Sequence, residues 1–169
     1  MSAPGVRDNL NMRGWFVVEA DGAHLNGTTK FRCPEDTSWW VDGSCGGSLS
    51  MLCAWDQSRA THHRGDWRWW NFHACMMQNQ TQIPRNAGVC ATKARLPTLE
   101  LQTCIQGERG QSLLNESLHA IQNLPYPLMF TPTLYIDGAI YSGIDYLGAV
   151  CDRIKLLKRG KNLPAGCLP

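Results

Sequence analysis

Cysteine is the residue type in this sequence best suited to chemistry, because its sulfur can form disulfides, bind metals or attack other sulfurs. The chain has eight cysteines, and none of them forms a C-x-x-C pair. They lie dispersed at Cys33, Cys45, Cys53, Cys75, Cys90, Cys104, Cys151 and Cys167. An even, dispersed set is typical of a disulfide framework in an oxidising compartment, whereas zinc usually needs close pairs. We therefore expect disulfides, with the connectivity still open.

One of these residues, Cys45, has a second interpretation as a reactive monothiol. The stretch from Ser44 to Ser48 reads SCGGS and is similar to a C-G-G-C dithiol whose second cysteine has become Ser48. A helix N-terminus lowers a thiol pKa at such sites, and no helix-forming run follows Gly47 directly. We expect Cys45 to be a disulfide partner in a glycine-rich loop. The alternative is that its lone thiol attacks a substrate disulfide.

Three N-x-[ST] sequons agree with a luminal compartment, where N-glycosylation takes place. The glycosylation candidates are Asn26, Asn79 and Asn115. The expected location is a lysosomal, secretory or other organelle lumen, with the mitochondrial intermembrane space as an alternative.

Charge and hydropathy exclude several classes of protein. The formal net charge is +2, so nothing predicts nucleic-acid binding. No apolar run approaches the roughly 18 residues of a membrane helix, and residues 1–12 lack the apolar centre of a signal peptide. A metal site could use His62 and His63 with His73 and Cys75, but Arg64 and Arg68 would repel a cation. We predict no metal and no cofactor.

Tryptophan is concentrated in one part of the chain. Six of the seven tryptophans lie between residues 39 and 70, where no helical or strand period is visible. Trp67, Trp69 and Trp70 form the stretch WRWW and are candidates either for the core or for a protein interface, where Trp and Arg are enriched.

The elements that must position these residues are clearest at the two ends. An apolar run over Gly14–Ala20, closed by Asp21-Gly22, predicts a strand. Three short helices are expected between residues 71 and 124. A hairpin around Asp137-Gly138 precedes an amphipathic helix whose inward residues include Leu157. We expect one domain over 1–169: strand and loop (14–30), irregular segment plus helical insertion (31–124), and X-Pro hairpin with C-terminal helix (125–169).

Several segments together resemble the gamma-interferon-inducible lysosomal thiol reductase family. They are FVVEADGAHLNGTTKFRC, NFHAC, CIQGERG, TPTLYIDG, YLGAVC and PAGC, in that order. The resemblance implies an α/β, thioredoxin-like fold with a disulfide-stapled helical insertion and a cis-proline at Pro132. It also implies that Cys104 is a structural staple. Arg109, in the same segment, could cap a helix, pair with an acid or be solvated, and we expect the last of these.

The family's catalytic C-x-x-C is the feature that this sequence lacks. It would lie before the strand at Gly14–Ala20, and the thirteen preceding residues contain no cysteine. The sequence therefore favours a non-catalytic accessory or structural subunit, a pseudoenzyme in a larger assembly. The alternative is a thiol–disulfide oxidoreductase whose C-x-x-C lies upstream. A sheet without its inner strand would be incomplete, so other protein chains are expected to cover a strand edge or contact the Trp-rich segment.

Overall fold

The computed structural model describes residues 19–25, 28–33, 45–61, 68–124, 134–136, 139–141 and 145–167. They belong to two compact units, of which the first ends at Asn123 and the second includes residues from Leu124 onward. The prediction of a single domain over residues 1–169 stays a prediction.

The first unit begins with an antiparallel hairpin. Strand β1 (Glu19–Leu25) pairs with strand β2 (Thr28–Arg32), and the register is irregular between Asp21 and Leu25. The sequence predicted that Asp21-Gly22 would close the strand, but β1 continues through both residues. Residues 14–18 lie outside the described part of the chain.

The body of the first unit is made of five helices. They are α1 (Gly46–Thr61), α2 (Arg68–Gln78), α3 (Ala87–Lys93), α4 (Thr98–Gln106) and α5 (Glu108–Gln122). Helix α1 contacts α2, α4 and α5, and every residue from Cys45 to Trp55 is buried. Helix α1 is therefore the central element around which the others pack.

The sequence prediction for residues 46–61 was wrong. The segment was expected to be irregular, and no helix was expected after Gly47, yet α1 begins at Gly46. The physical reason is the burial of residues 46–55, since a helical segment covered on all sides has no polar face and so shows no amphipathic period. Small residues also allow close packing, and the Ser50 hydroxyl bonds the Gly46 carbonyl at 2.7 Å.

The other helices of this unit match the sequence pattern more closely. Helix α5 buries Leu113, Leu114 and Leu118 on one face, as its stripe predicts, while Ile121 at the end of that stripe is half-buried. Helix α4 ends at Gln106, directly before Gly107. These helices are recognisable in the sequence because each has one buried and one exposed face.

The second unit holds a short hairpin and one longer helix. Strands β3 (Leu134–Ile136) and β4 (Ala139–Tyr141) are antiparallel and flank Asp137-Gly138. Helix α6 (Tyr146–Leu157) begins after Asp145, whose Oδ1 accepts a hydrogen bond from the Gly148 N–H at 2.8 Å. This is the N-terminal cap expected of an aspartate.

The core of the second unit is small. It consists of Val150, Cys151, Ile154 and Cys167, with Ile136, Leu147 and Leu163 packed against it. Leu157 was expected to face inward, but it is 64% exposed. Leu157 is the last residue of α6.

The predicted α/β, thioredoxin-like fold is wrong. The described residues are mostly helical, and their strands form two separate antiparallel ladders of two strands each. A thioredoxin-like domain needs one larger sheet as its central layer. In the first unit α1 occupies the central position, so packing between helices buries the apolar side chains of this unit. The predicted incomplete sheet is overturned with the fold.

Candidate functional site

The stretch CIQGERG, from Cys104 to Gly110, forms a tight connection that we call the α4–α5 corner. Helix α4 ends at Gln106, Gly107 adopts an extended conformation, and α5 begins at Glu108. The corner therefore brings a cysteine, an arginine and two glycines into one turn of chain against α1. Its side chains make a disulfide, hydrogen bonds and an ion pair.

The first interaction is the disulfide between Cys104 and Cys53. Cys53 lies on α1, and the two Cα atoms are 5.9 Å apart. Both residues are buried. The sulfur of the corner is thus a covalent link from α4 to the central helix, as the structural role proposed for Cys104 requires.

The second interaction is an ion pair. Nε of Arg109 donates to Oδ2 of Asp56 at 2.8 Å, and Nη2 donates to Oδ1 at 2.5 Å. Nη1 donates to Oε1 of Glu116 at 3.0 Å. The hydrogen bonds and charge of Asp56 raise the pKa of Arg109 above its usual range, with a smaller effect of Glu116. Arg109 thus pairs with acids, which was the alternative to the expected solvation, although its side chain stays 43% exposed.

Two glycines let the corner close. A Cβ at Gly107 would lie 2.7 Å from the Thr103 carbonyl oxygen. A Cβ at Gly110 would overlap the Cys104 carbonyl oxygen and lie 3.0 Å from Cδ2 of Leu49 on α1. Contacts this short require the backbone to move. Glycine at these positions therefore allows α5 to pack directly on the end of α4.

The chemistry of the corner is that of a clamp. Its sulfur is in a buried disulfide, and its guanidinium already faces two carboxylates, so no positive charge is left over to bind an anion. The sequence did not predict that Asp56 and Glu116 would be the partners of Arg109. The spacing of seven residues between Arg109 and Glu116 is a helical-face signal that could have indicated that pair.

All eight cysteines lie in the described residues and form four disulfides, which confirms the prediction of a disulfide-rich chain. The pairs are Cys33–Cys45, Cys53–Cys104, Cys75–Cys90 and Cys151–Cys167. Disulfides persist in oxidising environments, so this set indicates an extracellular or luminal location. Cys45 is bonded to Cys33, and its sulfur is therefore a disulfide sulfur, not a monothiol.

A second group of chemically distinctive side chains lies on α2, and we call it the aromatic cluster: Trp69, Trp70 and His73. The rings of Trp69 and Trp70 meet edge to face at 5.3 Å, and Trp70 stacks on His73 at 5.5 Å. All three are partly buried, and Trp69 also packs against the core. Burial lowers the pKa of His73, which favours the neutral imidazole.

The remaining candidates are divided between described and undescribed residues. Trp67, Asn26 and Pro132 lie outside the described residues. Asn79 and Asn115 are both exposed, the first between α2 and a short 3₁₀ helix (Gln80–Gln82) and the second within α5. Within the described ranges, no three His, Cys, Asp or Glu side chains converge as a metal site would require.

Comparison with known proteins does not add a relative. No protein-family model matches the chain, and no curated protein matches it. The helices in the described part of the chain are too short or too polar to cross a membrane.

Proposed function

We propose that this chain is a non-catalytic, disulfide-stapled accessory or structural protein that works with other protein chains in an oxidising compartment. The observation that carries this proposal is that all eight sulfurs are in disulfides. The active pair of a thiol reductase alternates between dithiol and disulfide at an accessible site, usually a C-x-x-C, and these four disulfides join cysteines at least 12 positions apart in the sequence.

Burial of the sulfurs supports the same conclusion. Seven of the eight cysteines are 8% exposed or less, and Cys75 is half-buried. Thiol–disulfide exchange requires an incoming thiolate to reach a sulfur atom, so access limits its rate. Buried disulfides of this kind hold helices together and exchange slowly.

The aromatic cluster is the surface that we assign to a protein partner. Trp70 and His73 present stacked rings on α2 and are only partly covered. Partly exposed tryptophan provides a large contact area with little loss of side-chain entropy, which makes it frequent at interface hot spots. The expectation that another chain covers a strand edge depended on an incomplete thioredoxin-like sheet, which the described residues do not form.

Redox activity tests the catalytic half of the proposal. The purified chain, folded in an oxidising compartment, should not accelerate reduction of insulin by glutathione, and alkylation without prior reduction should label none of its cysteines. Turnover that disappears in Cys45→Ser would overturn the proposal. A Cys151→Ser variant, in the second unit, controls for general loss of folding.

Co-purification tests the partner half. In cells that contain the natural assembly, Trp70→Ala should release the chain from its partner. Leu99→Ala, which removes an apolar side chain 75% exposed on α4, is the matched control and should retain the partner. Equal retention by both variants would contradict the assignment of the aromatic cluster.

The resemblance to thiol reductases supports a second candidate, a thiol–disulfide oxidoreductase. This candidate depends on the sequence resemblance alone, which includes the segment CIQGERG. A C-x-x-C encoded upstream in the same reading frame would favour this candidate, and the longer chain would then reduce insulin.

A further inference from the structure

The sequon Asn79-Gln80-Thr81 lies on an accessible bend of the first unit. Helix α2 ends at Gln78, Asn79 leaves the helix with φ −139° and ψ 76°, and the short 3₁₀ helix begins at Gln80. All six residues from Met77 to Gln82 are exposed. A large group attached at Asn79 therefore has room to extend into solvent without displacing a neighbouring side chain.

The two reactive side chains of this sequon already face each other. Oγ1 of Thr81 donates a hydrogen bond to Oδ1 of Asn79 at 3.0 Å. This contact uses the carbonyl oxygen of the amide and does not use Nδ2, the atom to which a glycan is joined. The folded chain thus holds the asparagine and the hydroxyl of the motif on the same side of the backbone.

The second described sequon has the opposite geometry. Asn115 and Ser117 lie inside α5, and residues two apart on a helix do not face each other. Asn115 is exposed, but Ser117 is fully buried, and its Oγ has no hydrogen-bond partner within the described residues. Once α5 has formed, the hydroxyl and the amide of this sequon are on opposite sides of the helix.

We propose that Asn79 carries an N-linked glycan and that Asn115 does not. The donor is an oligosaccharide linked to a lipid diphosphate. Its C1–O bond breaks, the lipid diphosphate leaves with the bonding electrons, a bond forms between C1 and Nδ2 of Asn79, and Nδ2 loses one proton. The inference depends on the luminal location that belongs to the proposed function.

The glycan would change the character of this part of the surface. Met77 is 41% exposed at the end of α2, two residues before the attachment point. A hydrated oligosaccharide at Asn79 shields this apolar side chain. It also keeps other molecules away from the bend, so the glycan excludes the bend from any protein interface.

The experiment uses the full chain, directed into the secretory pathway of a eukaryotic cell. Enzymatic deglycosylation in heavy-oxygen water converts a glycosylated asparagine to labelled aspartate, which peptide mass spectrometry locates. We expect the label at Asn79 and an unmodified Asn115. In a chain that carries Asn26→Gln to remove the third sequon, the glycosylated band should disappear on adding Asn79→Gln or Thr81→Ala, while the matched variant Asn115→Gln should leave it unchanged.

Each outcome has a defined meaning. A chain with four disulfides and no label at Asn79 would overturn this inference while leaving the luminal proposal intact. A label at Asn115 in preference to Asn79 would overturn it as well. Free cysteines in the recovered chain, together with an absent glycan, would overturn the luminal location and this inference with it.

Discussion

Removing the disulfide between Cys53 and Cys104 should destabilise the first unit more than removing any other pair. It links residues 51 positions apart, compared with 15 for Cys75–Cys90 and 12 for Cys33–Cys45. A crosslink restricts the unfolded chain, and this restriction grows with the logarithm of the loop length. The Cys53–Cys104 bond thus closes by far the longest loop in the protein.

The magnitude follows from the loop lengths. For 51 residues the chain-entropy relation gives about 4 kcal/mol near room temperature, and for 15 residues it gives about 3 kcal/mol. The double variant Cys53→Ala/Cys104→Ala should therefore lose about 1 kcal/mol more than Cys75→Ala/Cys90→Ala. Because both variants replace two cysteines by alanines, much of the change in side-chain packing cancels in the comparison.

The assay is urea unfolding followed by far-ultraviolet circular dichroism, with the other three disulfides verified by mass spectrometry. The m-value reports the surface exposed on unfolding and should rise in each variant, since an uncrosslinked chain unfolds to a more open state. An equal loss for the two variants, or a larger loss for Cys75→Ala/Cys90→Ala, would refute the loop-length argument and indicate that local packing dominates.

Three further predictions concern the corner and the aromatic cluster. Gly110→Ala should lower the free energy of unfolding by about 1–3 kcal/mol, because the added methyl overpacks the contact with α4. Gly88→Ala, whose Cβ meets nothing within 4 Å, should stabilise α3 by up to about 1 kcal/mol. Thermal unfolding measures both effects, and equal effects would contradict the close packing of α5 on α4. Arg109→Lys should lower the free energy of unfolding by less than about 1 kcal/mol, because the pair with Asp56 is partly solvent-exposed. Arg85→Lys, at an exposed position, is the control. An identical result for both variants would mean that the bidentate pair contributes no stability. Burial lowers the pKa of His73 below its ordinary 6.5, so the unfolded chain binds a proton at this residue more readily than the folded chain does. The stability contributed by the neutral His73 imidazole is therefore present above pH 6.5 and is lost as the pH falls through the lowered pKa. His73→Phe should flatten the decline of unfolding free energy in that acidic range, whereas Trp69→Phe, which removes no titratable group from the same cluster, should not. An unchanged pH profile in His73→Phe would count against the buried imidazole.

The sequence predicted elements whose signals are local. Helix α5 was visible because Leu113, Leu114 and Leu118 recur on one face, and a disulfide framework was visible because the cysteines are even in number and dispersed. Helix α1 was missed because residues 46–55, its first part, are buried on all sides and lack the polar face that makes a helix recognisable. The resemblance then favoured a sheet, whereas helices supply the described core of the first unit.

The candidate site could be predicted only in part. Cys104 was expected to be a staple, but its partner Cys53 could not be identified among the many possible pairings. Arg109 and Asp56 are 53 residues apart in the sequence. A surface ion pair at that separation leaves no periodic signal, since the two side chains meet only after α1 and α5 have packed. The Asn79 and Asn115 sequons look alike in one dimension and differ only in backbone geometry.

The corner attaches to α1 at two points, and this has a consequence for how the chain can vary. Cys53 and Asp56 lie three residues apart on α1, and their partners are Cys104 and Arg109. The corner is therefore held on α1 at two heights, by a covalent bond and by an ion pair. The chain between Cys104 and Arg109 acts as a spacer of fixed length. Substitutions at exposed Gln106 or Glu108 preserve that length, whereas one residue inserted between Glu108 and Arg109 would turn Arg109 by about 100° around α5, away from Asp56.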